Sequence, residues 1–326
     1  MNIAVLGAGS MGTAVANAVA GNGHSVRVWS IEYDVLEDVR DNRANAKYLP
    51  GVALHEGISA SWTFEEALAD AELVVLSVPS HIVRTLARDA APHVRAEQPV
   101  LNVAKGLEEE TDKRLSEVIA EELGRNDGIA AMGGPAIAAE MARGMPTAVV
   151  VASQDSGLVS AIRDSFHNEF LKVDTTTDVV GVELGACLKN AYAIALGMCD
   201  GMGHGTNTKA FIATLAINEM AALSVAMGGQ EATAFGLAGL GDLLTTGYSA
   251  HSRNRTLGEK LASGDDPQGF LQRNTVEGVA ACRTIELAER FSVRAPLLRT
   301  VHDIVIGGND PAGTMSAFMR DFFYDG

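Results

Sequence analysis

One ammonium group in apolar surroundings frames the chemistry open to this chain. From Val182 to Cys199 nearly every residue is apolar, and only Glu183, Lys189 and Asn190 interrupt the run. That is the pattern of a helix buried on all sides. An ammonium group there is costly unless it is paired, neutralised or opened onto a cavity. Its helical neighbours three and four positions away are Gly185, Ala186, Tyr192 and Ala193, none of them a carboxylate. Lys189 must therefore find a partner elsewhere in the chain or in a ligand; the ordinary alternative is a lysine snorkelling at a helix end. Burial and a neighbouring cation would lower its pKa and make it a base near neutral pH.

Five other residues have types suited to the same chemistry. Lys105 follows the apolar stretch Val100–Ala104, and a lysine at the carboxyl end of a parallel strand points at a site, whereas elsewhere it would be a surface lysine. Asp242 is the one acid in the glycine-rich Gly236–Thr246 stretch, either a helix cap or the carboxylate a buried cation needs. Arg253 and Arg255 stand together in Ser252-Arg253-Asn254-Arg255, and guanidinium forks bind phosphate bidentately, although a solvated helix start is the ordinary role of such a run. Glu277 lies near the start of a further helix, where capping is the ordinary role.

The elements that must position these residues are alternating strands and helices. Residues 2–6 form an apolar strand leading into Gly7-Ala8-Gly9-Ser10-Met11-Gly12, then a helix from Thr13 to Ala20 and a second strand from Ser25 to Trp29. Strand, glycine turn and helix in that order are the context of a dinucleotide fingerprint. Gly7 permits the turn, Gly9 admits the pyrophosphate to the backbone, and Gly12 lets helix and strand pack closely, with the helix N-terminus facing the phosphates. Twenty residues past Gly12, Glu32 is placed to bind ribose hydroxyls, which leans toward NAD over NADP; neither Arg27 nor Arg40 is an obvious phosphate clamp. Further strands are expected at 72–78, 100–104, 129–132 and 147–152, with a helix running from Gly133-Gly134-Pro135 to Arg143 and a hinge at Lys172–Thr177. Beyond residue 178 the pattern is helical. The expected fold is α/β: an N-terminal Rossmann-like doubly wound sheet over 1–177, followed by an all-α substrate-binding domain over 178–326.

Composition narrows the partners. The 326 residues are 47% hydrophobic, with 41 acidic against 25 basic side chains and a net charge of −16. This argues against nucleic acid or an anionic membrane surface as partners, and an anionic substrate would need a local basic pocket. No uncharged apolar run approaches the length of a membrane span, and no basic segment precedes the first strand, so neither membrane insertion nor a targeting peptide is expected. Three cysteines without a Cys-x-x-Cys pair suit a reducing cytoplasm, and with scattered histidines they imply no metal site.

In order along the chain, these residues resemble the NAD(P)-dependent glycerol-3-phosphate dehydrogenases. The pattern includes the fingerprint, Asn45-Ala-Lys-Tyr-Leu-Pro50, Ser77-Val-Pro-Ser80, Lys105-Gly-Leu-Glu108, Gly134-Pro135, Gly144-x-Pro146-Thr147, Glu183-Leu-Gly and Leu188-Lys189-Asn190. It continues through Asn207-Thr-Lys-Ala210, Gly239-Leu-Gly-Asp242, Ser252-Arg-Asn-Arg255 and Val276-Glu-Gly278. The resemblance implies that Lys189 takes the C2 hydroxyl proton as hydride leaves for the nicotinamide, and returns it in dihydroxyacetone phosphate reduction. It implies that Lys105 contacts substrate and cofactor, that Asp242 orients Lys189, and that Arg253 and Asn254 hold the phosphate end. Gly7, Gly9, Ser10, Met11, Gly12, Lys105, Ala138, Arg253 and Glu277 fall at cofactor positions; Gly134, Ala136, Lys189, Asn190 and Asp242 fall at substrate positions. A cytoplasmic homodimer supplying phospholipid precursors is also implied. The chain departs from the family in having Ala136 where a serine or threonine usually follows Gly-Pro, Gly185-Ala186-Cys187 where Gly-Gly-Ala is common, and Thr246-Gly247 where Cys-Thr is common after the aspartate. A 3-hydroxyacid dehydrogenase shares the general plan but sets its lysine four residues before its asparagine, whereas Lys189 and Asn190 are adjacent. A non-catalytic dinucleotide sensor would not need Lys105, Lys189, Asp242 and Arg253 together.

Overall fold

The first strand is apolar throughout, with Ile3, Ala4, Val5 and Leu6 at most 1% exposed, as expected of a parallel strand covered on both faces. It lies at the centre of one eight-stranded sheet in the computed structural model, which describes residues 1–324. The strands are β1 (Asn2–Leu6), β2 (Ser25–Trp29), β3 (Ile58–Ser61), β4 (Leu73–Leu76), β5 (Val100–Asn102), β6 (Ile129–Gly133), β7 (Thr147–Ala152) and β8 (Leu171–Thr176). Their order is β3-β2-β1-β4-β5-β6-β7-β8, all neighbours parallel except β6 and β7. The chain therefore winds outward from β1 to β3 and returns to β4 on the other side of β1. That reversal opens a crevice at the carboxyl ends of β1 and β4, where such sheets bind ligands.

The glycine turn sits in this crevice for steric reasons. Gly7 has φ of +118°, and a Cβ there would lie 2.2 Å from the Ser77 carbonyl oxygen just past β4. A Cβ on Gly12 would lie 1.9 Å from the Gly7 carbonyl oxygen. The helix Ser10–Gly21 follows, with Gly9 at its N-cap and no side chain capping its first N–H groups. A Cβ on Gly9 would meet nothing within 4 Å, so that end opens onto free space.

After β8 the described chain is helical, organised around Val179–Gly201. This helix has a mean hydropathy of 1.4 over its most apolar window, 94% of which is buried within the protein, so its composition serves core packing. The helix Arg253–Ser263 crosses it at backbone contact. A Cβ on Gly258 would lie 2.0 Å from the Ile194 carbonyl oxygen.

Three sequence expectations need correction. Lys172–Thr177 is not a hinge: Leu171–Thr176 is β8, paired with β7 along its length. Its exposed Lys172 alternates with buried Leu171 and Val173, so the polar face of a half-buried strand reads as a linker. The chain leaving β8 is fixed to the helical part, because Asp178 accepts from Gly181 N at 2.9 Å, from Gln230 N at 2.9 Å and from the Thr233 hydroxyl at 2.6 Å. The helix expected from Gly133 to Arg143 is confined to Ala138–Met141. Gly133 ends β6, Gly134 has φ of +113°, and Ile137 is still extended. The strand expected over 100–104 stops at Asn102, whose side chain donates to Ala104 O and accepts from Ala104 N, both at 3.1 Å, replacing the ladder with a turn.

Candidate active site

Lys189 lies on the buried helix and finds its carboxylate in Asp242. Its Nζ donates to Asp242 Oδ1 at 2.9 Å and to Thr246 Oγ1 at 2.7 Å. The other carboxylate oxygen of Asp242 accepts from Lys105 Nζ at 2.5 Å, and Lys105 also donates to the Gly134 carbonyl at 3.0 Å. One carboxylate thus joins an ammonium from the end of β5 to an ammonium from the helical domain. Asp242 opens the helix Asp242–Tyr248 after a π-helical turn at Leu237–Gly241, and its carboxylate goes to the two lysines. Thr246 stands one helical turn further along on the same face. In the sequence it stands out only as a departure from the family pattern, although its spacing from Asp242 carried the signal of a shared face.

Burial decides the proton affinities. Lys189 is lowered by burial and by the Lys105 cation, and this outweighs the opposing pull of Asp242. Burial alone would raise Asp242, but Lys105 and Lys189 hold it below the usual carboxylate range. Both lysine side chains keep limited access to solvent, 9% for Lys189 and 14% for Lys105, against 2% for Asp242. The trio is therefore a buried, hydrogen-bonded charge cluster in which Lys189, its proton affinity lowered by burial, faces an opening.

That opening is a cleft of about 410 Å³ reaching from Ser10 and Tyr48 past Ala136, Ala138 and Lys189 to Arg253. Glu277 lines it as well, and burial raises its pKa against the pull of Lys189, Lys105 and Arg253. Asn190 accepts from Asn254 Nδ2 at 2.8 Å, and Asn254 in turn accepts from Gly278 N at 2.8 Å. This chain of amides fixes the wall on which Arg253 and Glu277 stand. The two arginines of Ser252–Arg255 have separate fates. Arg253 lines the cleft and makes no side-chain ion pair among the described residues, whereas Arg255 is bound to Asp200 at 2.7 Å together with Lys209. Ser252 caps their helix by accepting from Arg255 N at 3.2 Å.

The remaining sequence candidates are brought to the same cleft or to its glycine turn. Gly7, Gly9, Ser10, Met11 and Gly12 form the turn and the first residues of its helix, with Met11 packed against the sheet core. Gly134 supplies a carbonyl to Lys105, and Ala136 places a methyl group where a hydroxyl would otherwise face the cleft. A second buried acid, Glu183, joins the halves away from the cleft. It accepts from Ser116 N at 2.8 Å and from Arg114 at 3.1 Å, tying the start of the Leu115–Leu123 helix to the helix that carries Lys189.

The residues present fit a dinucleotide. The uncapped N–H groups at Ser10, the steric opening at Gly9 and the absence of an acid in that first turn suit a pyrophosphate. A doubly wound sheet with this turn at its switch point, and a buried lysine in the adjoining cleft, define a dinucleotide-dependent dehydrogenase. The family model for the N-terminus of NAD-dependent glycerol-3-phosphate dehydrogenase matches residues 2–159, and that for its C-terminus matches residues 178–316. The chain belongs to this family. It is 41% identical to glycerol-3-phosphate dehydrogenase [NAD(P)+] of Anaeromyxobacter sp. (strain K) over 98% of both chains. The enzyme of that name from Clostridium botulinum (strain Alaska E43 / Type E3) is 38% identical over 97% of this chain and 96% of its own. Among solved structures, glycerol-3-phosphate dehydrogenase from Coxiella burnetii superposes with a TM-score of 0.91 at 33% identity, covering 98% of each chain.

Proposed function

We propose that this chain interconverts sn-glycerol 3-phosphate and dihydroxyacetone phosphate with NAD(P), Lys189 moving the proton of the C2 hydroxyl. The observation that carries this reading is the Lys189–Asp242–Lys105 cluster opening onto a cleft that also reaches the glycine turn. The dinucleotide, when bound, supplies the carrier for the hydride exchanged with C2. In the oxidative direction the neutral Lys189 amine takes the hydroxyl proton, and in the reductive direction its ammonium returns it. Lys105 supplies positive charge near the alkoxide that develops on the C2 oxygen. Asp242 holds both amines in register through its two oxygens. Arg253, with no competing ion pair among the described residues, is suited to the phosphate end of the substrate.

Purified protein mixed with NADH and dihydroxyacetone phosphate should oxidise the cofactor, followed by its absorbance. Lys189→Ala should abolish this turnover, and turnover that persisted in that variant would overturn the role given to Lys189. The surrounding physiology follows from the same reading. The acidic surface and the three buried, unpaired cysteines suit a cytoplasmic enzyme of phospholipid precursor synthesis without nucleic acid or membrane partners. We take it to act as a homodimer, which sedimentation of the purified protein would test.

A further inference from the structure

The Asn45–Pro50 segment has no part in the chemistry above, yet it is fastened to the glycine turn. Asn45 Nδ2 donates to Ala8 O and to Thr13 Oγ1, both at 2.8 Å, and the Ser10 hydroxyl donates to Tyr48 O at 2.9 Å. This places Lys47 and Tyr48 beside the end of β2, where Glu32 precedes the helix Tyr33–Asn42. The Tyr48 hydroxyl donates to Glu32 Oε2 at 2.7 Å, and Lys47 Nζ pairs with Glu32 Oε1. The Ser30 hydroxyl accepts from Glu32 N at 3.1 Å and fixes the turn. Two groups therefore orient a carboxylate that keeps 31% of its side-chain surface open. These hydrogen bonds from Lys47 and Tyr48 also hold it below the usual glutamate range, so it is ionised at neutral pH.

We infer that Glu32, oriented by Lys47 and Tyr48, is the residue by which this chain selects NAD over NADP. A carboxylate at the end of the second strand of a doubly wound sheet accepts from the adenosine ribose hydroxyls. A 2′-phosphate at that position would bring negative charge against Glu32 and nearby Asp34. The single cation between them, Lys47, already bridges both acids, to Asp34 at 3.3 Å. The nearby arginines among the described residues already have partners. Arg27 is paired with Asp70, Arg40 with Asp41, and Arg43 donates to the carbonyls of Glu56 and Ile58. Ile31, 77% exposed, offers the site an apolar surface and no donor.

This inference rests on the dehydrogenase reading, so its test has two arms. Steady-state rates with dihydroxyacetone phosphate should give a kcat/KM for NADH at least about tenfold above that for NADPH. Equilibrium titration of the two dinucleotides against the substrate-free protein should show a preference in the same direction. Glu32→Ala and Glu32→Gln should each bring the NADH to NADPH ratio toward about one, the second variant separating charge from shape. Tyr48→Phe should weaken NADH several-fold and leave NADPH little changed. A wild-type preference for NADPH, or a ratio unmoved in both Glu32 variants, would overturn the inference. Dinucleotide binding with the expected ratio but no turnover would uphold it and count instead against the proposed substrate.

Discussion

Replacing Asp242 by Asn tests the charge cluster at its centre. The substitution keeps the shape and one acceptor oxygen but removes the charge shared by two ammonium groups. At 2.9 Å, and with an effective dielectric constant of about 20, the pair with Lys189 is worth up to about 6 kcal/mol. Water in the cleft and relaxation of the side chains would absorb about half of that, leaving about 3 kcal/mol, or roughly a hundredfold change in protonation at fixed pH. The sign is determined by the role of Asp242, which pulls Lys189 upward against burial and Lys105. Without it, Lys189 deprotonates more readily. Dihydroxyacetone phosphate reduction, which needs the ammonium form, should lose up to about a hundredfold at pH values above the wild-type limb, and that limb should move toward acid. Glycerol 3-phosphate oxidation should fall less, through lost orientation alone, and should persist to lower pH than in the wild type. Rate profiles against pH in both directions, on the same preparation, supply the assay. A reductive limb that stayed in place or moved toward alkali would refute the claim that Asp242 sets the proton affinity of Lys189.

Lys105→Met should move the same limb the opposite way. Removing the like charge, and freeing Asp242 for Lys189 alone, both raise Lys189, so oxidation near neutral pH should drop by about tenfold or more. A limb shifted toward acid in this variant would contradict the reading. Glu219 gives a stability prediction far from the cleft: burial raises it from 4.5 to about 7, against hydrogen bonds from Leu297 N, Leu298 N and the Tyr192 hydroxyl. Because the folded state holds this proton more tightly, stability from this group is complete below about pH 4.5 and is lost as pH rises to about 7. Glu219→Gln lacks that dependence, so urea unfolding should show the variant gaining about 3 kcal/mol on the wild type across this interval. A constant difference across the interval would rule out a raised Glu219.

How legible the site was in the sequence depended on whether a residue's role was local or set by packing. The glycine turn, the alternation of short strands and the all-round apolar helix each follow from nearest neighbours, and each appears where the sequence placed it. The need of Lys189 for a distant carboxylate was equally legible, since nothing on its own helix could serve. Residue type and family resemblance offer Asp242 as that carboxylate, with Lys105 as the neighbouring cation, and both stand there. That Thr246 would join them depends on the π-helical turn that sets the helix of Asp242 against Lys189. The edge strand β3, with the sequence Ile58-Ser-Ala-Ser61, carries too little apolar density to be seen without its neighbour β2. Lys172 misled for the same reason, as one polar face of a paired strand.

The two lysines also explain why the site is built across two halves of the chain. Lys105 is delivered by β5 and Lys189 by the buried helix, so neither half alone holds both cations beside one acid. Asp242 binds one lysine with each oxygen, and its bond to Lys105 ties the halves at the reacting centre. Glu183 ties them again, six residues earlier on the Lys189 helix, through Ser116 and Arg114. Being buried and hydrogen-bonded, both links tolerate little displacement, because any opening leaves a buried polar group without its partner. In the proposed mechanism the geometry of proton transfer is set by the same contacts that dock the halves, and a substitution in either link should alter the pH profile before it unfolds the protein.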